Sequence, residues 1–170
     1  MAELTARDRL QPSLLDRLTD DEPQAAHESR ERRVLSMRGL RQAVLRDLGW
    51  LFNATGVGAL QDLDAYPLAS RSVINYGLPD FSGRTASGLE VADVERLMRQ
   101  AIWDFEPRIL RDSLEVRAIA LDPSAESSNR LVFEVHGTLW GQPLPERLFL
   151  KTELDLEAGE VRVSDGAGAS

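Results

Sequence analysis

The sequence predicts an α+β fold: two main amphipathic helices packed on a mostly antiparallel sheet of three or four strands. Two observations carry this. Before residue 106 the apolar residues recur at helical spacing in two long stretches. After residue 108 the period changes to strict alternation in several short runs separated by turn signals. Helices first and a meander of strands after them is the order of an α+β domain, with no βαβ repeat to suggest a parallel sheet. The chain of 170 residues has room for one domain plus an extra segment. The expected division is a flexible segment over 1–32, a domain over 33–164 and a loose tail over 165–170.

The segment 1–32 is polar, with Pro12, Pro23 and the acidic run Asp20-Asp21-Glu22. Inside it, Leu10, Leu14, Leu15 and Leu18 would share one face of a short helix. Such a piece is too short to be stable alone in water. It reads either as a partner-binding piece that folds into a groove or as a turn of helix packed on its own domain, with Asp20–Ser29 as a tether.

The first long helix is expected at about Met37–Phe52. Ser36 is its N-cap, Leu35 and Leu40 form a hydrophobic staple, and Leu40, Val44, Leu48 and Leu51 make its apolar stripe. Arg30, Arg32, Arg33, Arg38, Arg41 and Arg46 make this the basic region of an acidic chain. It reads as a solvated face or as a patch for an acidic partner.

Residues 53–87 are turn-rich, with Gly56, Gly58, Pro67, Gly77, Pro79 and Gly83. A connection this long suggests a structured loop, with Val73, Ile74, Leu78 and Phe81 as anchors to the core. The second long helix follows over Leu89–Phe105. Ser87 and Glu90 are placed for a capping box, and Val94, Leu97, Met98, Ala101, Ile102 and Phe105 form the buried face. Pro107 disfavours helix at Glu106, so the helix stops near Phe105. The result is a stiff mount carrying an acid, Glu106, and a base, Arg108. As a docking contact the pair would be partly solvated in the free protein and contribute roughly 0–1 kcal/mol to stability. As an internal tie it would be worth ~3–5 kcal/mol when broken.

Strands are expected at Leu114–Ala118, Leu131–His136, Leu148–Leu156 and Val161–Val163. The loop Asp122–Asn129, the turn Gly141–Pro145 and the hairpin turn Glu157–Glu160 separate them.

The chemistry excluded is broad. A net charge of −8 and a pI near 4.8 disfavour nucleic acid as a partner. The absence of cysteine rules out thiol catalysis and cysteine-bound metal. His27 and His136, the two histidines, are far apart, so no histidine metal cluster or triad is expected. No cofactor loop is present. Met1–Ser29 has no apolar core of a secretory signal, and no run is apolar enough to span a bilayer. A cytoplasmic protein with no direct membrane insertion is expected. Asp104 and Glu106 are a conceivable carboxylate pair for a glycosidase, which needs two such groups about 5–10 Å apart, one with a raised pKa. Arg108 beside Glu106 favours the carboxylate instead, so Glu106 reads as an ion-pairing anion and no catalytic residue is assigned.

Taken in order, Asn75-Tyr76-Gly77-Leu78-Pro79, the amphipathic helix after it and Glu106-Pro107-Arg108 resemble the TssE family. These are baseplate subunits of bacterial type VI secretion systems, grouped with the small baseplate wedge proteins of contractile-tailed phages and often labelled lysozyme-like. The likeness runs from about Leu10 to Val163 and takes in LLDRL, RRVLSMRGLR and the closing strands. It implies a cytoplasmic, non-enzymatic part of an injection machine that works with the baseplate protein TssK. It also implies that Glu106, Pro107 and Arg108 dock on the wedge core bundle of TssF and TssG. The sheet would then template the first ring of the sheath proteins TssB and TssC. Two other readings stay open: a lysozyme-like hydrolase acting on peptidoglycan, and a generic cytosolic adaptor.

Overall fold

The computed structural model describes residues 13–19, 24, 36–85, 88–119, 129–141 and 145–166. Four helices precede the sheet: α1 Leu14–Leu18, α2 Met37–Asn53, α3 Pro67–Ser70 and α4 Val91–Phe105. Single 3-10 turns lie at Val57–Ala59, Val73–Asn75 and Arg111–Ser113. The strands are β1 Glu115–Ile119, β2 Arg130–Leu139, β3 Glu146–Asp155 and β4 Glu160–Asp165. They form one antiparallel sheet in the order β1-β2-β3-β4. This is the predicted α+β meander.

The two long helices form for the reasons read in the sequence. Ser36 caps α2, its hydroxyl accepting from the Gly39 amide at 3.1 Å. Leu40, Val44, Leu48 and Leu51 are all buried. In α4, Val94, Met98, Ala101 and Ile102 are buried and Leu97 and Phe105 pack partly against them. The start of α4 differs from the expected capping box. Glu90 is itself the N-cap, its side chain makes no capping bond, and the helix begins at Val91. Ser87 lies outside the described residues, as do Leu10, Leu35 and the loop residues 122–128.

The inner face of the sheet alternates as expected. Phe133, Val135 and Leu139 of β2 and Leu148, Leu150 and Leu154 of β3 are nearly or fully buried under the two helices. The β3–β4 hairpin turns where predicted. The Asp155 carboxylate accepts from the amides of Glu157 at 2.9 Å and Ala158 at 3.2 Å, and Gly159 takes φ +69°.

Two expectations are corrected. Val73 and Ile74 do not anchor the long loop; they are exposed, and of the four expected anchors Leu78 and Phe81 reach the core. A short turn that spans three residues cannot aim all its side chains inward. Asp165 is not loose tail: it is the last residue of β4, opposite Leu150, and the Arg41 guanidinium grips it through Nε at 2.7 Å and Nη2 at 2.6 Å. Arg41 also donates to the carbonyl of Arg147 at 3.1 Å. The predicted basic patch is thereby partly closed, because Arg41 works as a clasp between α2 and β4.

Candidate functional site

The end of α4 is built by three backbone constraints. The Glu106 amide donates to Ile102 at 2.8 Å, closing the last turn. Pro107 then ends the helix. Beyond it, the Trp140 amide donates to the Arg108 carbonyl at 2.7 Å and the Leu110 amide to Thr138 at 2.9 Å, so this strip joins the end of β2 as an antiparallel bridge at Ile109 and Leu139. A corner is left with no free rotation on either side.

On this mount Glu106 turns inward. It is 3% exposed, the burial described for the internal-tie alternative. Its carboxylate accepts from the Arg108 amide at 3.1 Å, from Arg108 Nε at 2.7 Å and, in a short contact, from Arg108 Nη2. The same Nη2 donates to Asp47 of α2 at 2.6 Å. Asp47 in turn accepts from Arg46 Nε at 2.9 Å and Nη2 at 2.8 Å, and Arg46 Nη1 donates to Asp16 of α1 at 2.5 Å. Ser13, the N-cap of α1, donates to Asp16 at 2.7 Å. Charges of alternating sign thus run from the corner across α2 to α1: Glu106, Arg108, Asp47, Arg46, Asp16.

The electrostatics follow from this alternation. Burial works against the Arg108 charge, but its hydrogen bonds and attraction to Glu106 and then Asp47 outweigh that and hold it charged more firmly than an ordinary arginine. The Arg46 hydrogen bond holds the Asp16 carboxyl below its usual range. Burial, and then the negative charges of Asp47 and Glu106, push the Tyr76 phenol up. Tyr76 belongs to the corner as well. Its ring meets Phe105 edge-on at 5.3 Å and its hydroxyl lies 3.4 Å from the Asp47 carbonyl.

The sequence-predicted docking residues therefore fall into two groups. Glu106, Pro107 and Arg108 form the corner. Leu14, Leu15 and Leu18 sit on α1 and are exposed, at 71, 47 and 73%. The relay joins the two groups through Asp47 and Arg46. Sequence reasoning had taken Arg46 for part of a patch and had passed over Asp47 and Asp16. The separation of Asp47 from Arg108 by 61 positions leaves no local signal.

Two further polar contacts govern the sheet edges. The Asn53 side chain, at the end of α2, donates to the Val161 carbonyl at 2.7 Å and accepts from the Val161 amide at 2.9 Å. Its amide stands where the next strand's peptide would stand. On the opposite edge Glu95 of α4 accepts from the Ala118 amide at 2.6 Å. Each outer strand is thus blunted by a side chain from the helix beside it.

Both carboxylates weighed for a glycosidase are already engaged. Asp104 accepts from Gln100 at 2.7 Å and pairs with Arg71 at 3.4 Å, while Glu106 is enclosed by Arg108. A general acid must reach its substrate, and neither group has an open approach of that kind. His136 packs on Phe149 at 4.6 Å between ring centres and lies 3.3 Å from Glu134, on the exposed side of the sheet. Among the described residues no group of three or more acidic, histidine or cysteine side chains could hold a metal, and no helix is long and apolar enough to cross a membrane.

No curated protein and no solved structure matches the chain. A family model does: the one described as baseplate wedge protein gp25 matches residues 38–144. That span takes in nearly all of α2, the loop after it, α4, the Glu106-Pro107-Arg108 corner, β1 and β2. It covers more than half of the 170 residues, and the corner that the fold holds most tightly lies inside it. The chain belongs to the family of the baseplate wedge protein gp25, and so to the components of phage-tail-like baseplates.

Proposed function

We propose that this chain is a structural baseplate subunit of a type VI secretion system, working in the cytoplasm and without enzymatic activity. In this reading the Glu106-Pro107-Arg108 corner docks on the wedge core bundle of TssF and TssG, beside TssK. The leucines of α1 add a second contact. The sheet serves as the template on which TssB and TssC begin the sheath.

The observation that supports it is the corner itself, seen with the family match that encloses it. Pro107 and the bridge to β2 fix the backbone, and Glu106 fixes the arginine, so little order is lost on binding. Arg108 keeps 23% of its side-chain surface exposed, and its Nη1 has no hydrogen-bond partner among the described residues. A planar cation so held suits a carboxylate of a partner. Templating needs a strand to join the sheet, and on β4 such a strand would replace the Asn53 amide at Val161.

The test is capture of purified TssF–TssG by the parent chain and by Arg108→Ala, in the cold, with circular dichroism confirming that the variant is folded. Loss of capture by folded Arg108→Ala is expected. Undiminished capture would sink the docking role. Lysis of peptidoglycan by the parent chain that disappears in Glu106→Gln would overturn the structural reading altogether.

A further inference from the structure

Between α2 and α4 the chain leaves the body of the domain and returns. This excursion carries Leu60, Leu68, Val73 and Ile74 at 83, 89, 81 and 61% exposure, with Tyr66 at 64%. Single exposed apolar side chains are ordinary, but five large ones lie within residues 60–74, a density that points to a contact.

The excursion is tied in one arrangement. Asn75 accepts from the Gly58 amide at 2.8 Å and donates to the Ser70 carbonyl at 2.8 Å, holding the turn at Val57–Ala59, helix α3 and the turn at Val73–Asn75 together. Ser72 donates to the Ala69 carbonyl from its amide at 3.1 Å and from its hydroxyl at 2.9 Å. The approach of Asn75 needs glycine at Gly56, where a Cβ would stand 2.6 Å from its Oδ1. At the base, Gly77 has φ +126°, a Cβ there would fall 2.1 Å from the Ala54 carbonyl oxygen, and the Leu78 amide donates to that carbonyl at 2.9 Å. The Asn75-Tyr76-Gly77-Leu78 motif therefore builds a stiff support, and the large apolar side chains are what it supports. Pre-ordering of this kind lowers the cost of binding.

The charge around them is negative. Asp62 accepts from the Asp64 amide at 2.9 Å, and among the described residues neither aspartate pairs with a cation. Of the two positive side chains between α2 and α4, Arg71 pairs with Asp104 and Arg84 acts on Asp80. Among the described residues the excursion holds no strand beyond the isolated bridge of Thr55 to Leu78 at its base, which favours a helix over a strand as the occupant.

We propose that this excursion docks an amphipathic helix with an apolar face and a lysine- and arginine-rich rim, supplied by another protein of the baseplate. The proposal rests on the wedge-subunit reading and adds a further surface to the corner, the α1 leucines and the sheet.

The test uses the full chain and purified TssF–TssG, with affinity measured by titration. Leu68→Asp with Ile74→Asp should weaken binding at least about tenfold without lowering the melting temperature, since both side chains are exposed. Asp62→Asn with Asp64→Asn should weaken binding at low salt and flatten its salt dependence. A photo-reactive residue in place of Leu68 should cross-link a helical, basic segment of the partner. Affinity within about twofold of the parent for the apolar double variant overturns the proposal. If folded Arg108→Ala loses binding in that same titration, the wedge reading survives without this surface. No binding by the parent chain overturns both, the fault then lying with the wedge reading. Cross-links confined to a second copy, with a dimer by light scattering, overturn it in favour of self-association.

Discussion

Arg108→Ala is the sharpest perturbation of the corner, and its effect should exceed that of Glu106→Ala. In the parent, the Glu106 carboxylate is enclosed and accepts three hydrogen bonds, two of them from the Arg108 side chain. Removal of that side chain leaves one backbone amide at 3.1 Å for a carboxylate that is 3% exposed. Breaking a buried pair in this way costs about 3–5 kcal/mol. For a domain of this size each kcal/mol moves the melting temperature by roughly 2–4 °C, so a fall of about 6–20 °C is expected. Glu106→Ala leaves a different remainder. Arg108 keeps its bond to Asp47 at 2.6 Å and a side chain that reaches water, so the loss is nearer ~1.5–3 kcal/mol. The double variant removes the stranded anion along with its partner. It should therefore be less destabilised than the sum of the single changes, by about 0.5–3 kcal/mol. Thermal melts of the four proteins supply the cycle. A melt of Arg108→Ala within about 2 °C of the parent, with Glu106→Ala the more damaging change, would refute this account of the corner.

Gly77→Ala should destabilise by more than ~1–2 kcal/mol, read in a denaturant titration, because φ +126° and the Ala54 carbonyl both exclude a Cβ. Thr152→Val should stabilise by roughly 1 kcal/mol in the same assay, since the fully buried Thr152 hydroxyl has no hydrogen-bond partner among the described residues and valine keeps its shape. The Asp16 carboxyl is held below its ordinary value of 3.8, so its tie to Arg46 is complete at neutral pH and is lost as pH falls through and below that value. With the pH dependence of intrinsic exchange divided out, the protection factors of the amides over Leu14–Leu18 should fall on acidification, and Asp16→Asn should show the lower protection already at neutral pH. Asn53→Ala should lower stability by ~1–3 kcal/mol and promote self-association by size-exclusion chromatography, because the Val161 amide and carbonyl lose their cap.

What was legible in the sequence is what local period determines. The stripes Leu40–Leu51 and Val94–Ile102 and the alternation Leu148–Leu156 name the buried faces directly, because 3.6- and 2-residue repeats leave few other arrangements. The stop at Pro107 and the pairing of Glu106 with Arg108 were legible too, being two residues apart. Burial of Glu106 was not. An acid at a helix end is usually solvated, and here the bridge of Ile109 to Leu139 draws the corner inward. Val73 and Ile74 misled because apolar residues in a turn-rich stretch suggest anchors, whereas Asn75 and Gly77 had already fixed which way the turn faces. The contacts of Asn53 with Val161 and of Arg41 with Asp165 span 108 and 124 positions, beyond any local pattern.

These long-range contacts shift the centre of the molecule. The sequence directs attention to α4, which carries the larger amphipathic contrast and ends in the corner. In the structure α2 is the element to which the other parts are fastened. Arg41 holds the end of β4, Arg46 holds α1, Asp47 holds Arg108, and Asn53 caps the β4 edge. Leu40, Val44, Leu48 and Leu51 meanwhile commit the apolar stripe of the same helix to the core. A helix so committed cannot turn to relieve one contact without disturbing the others, because its buried stripe fixes its rotation. A carboxylate bridging Nη1 and Nη2 of Arg108 would compete with Asp47 at Nη2, and a strand arriving at Val161 would compete with Asn53, two side chains of this one helix. If both surfaces are used in a baseplate, α2 is the rigid body through which they share a fixed geometry. That is what a template for further assembly requires.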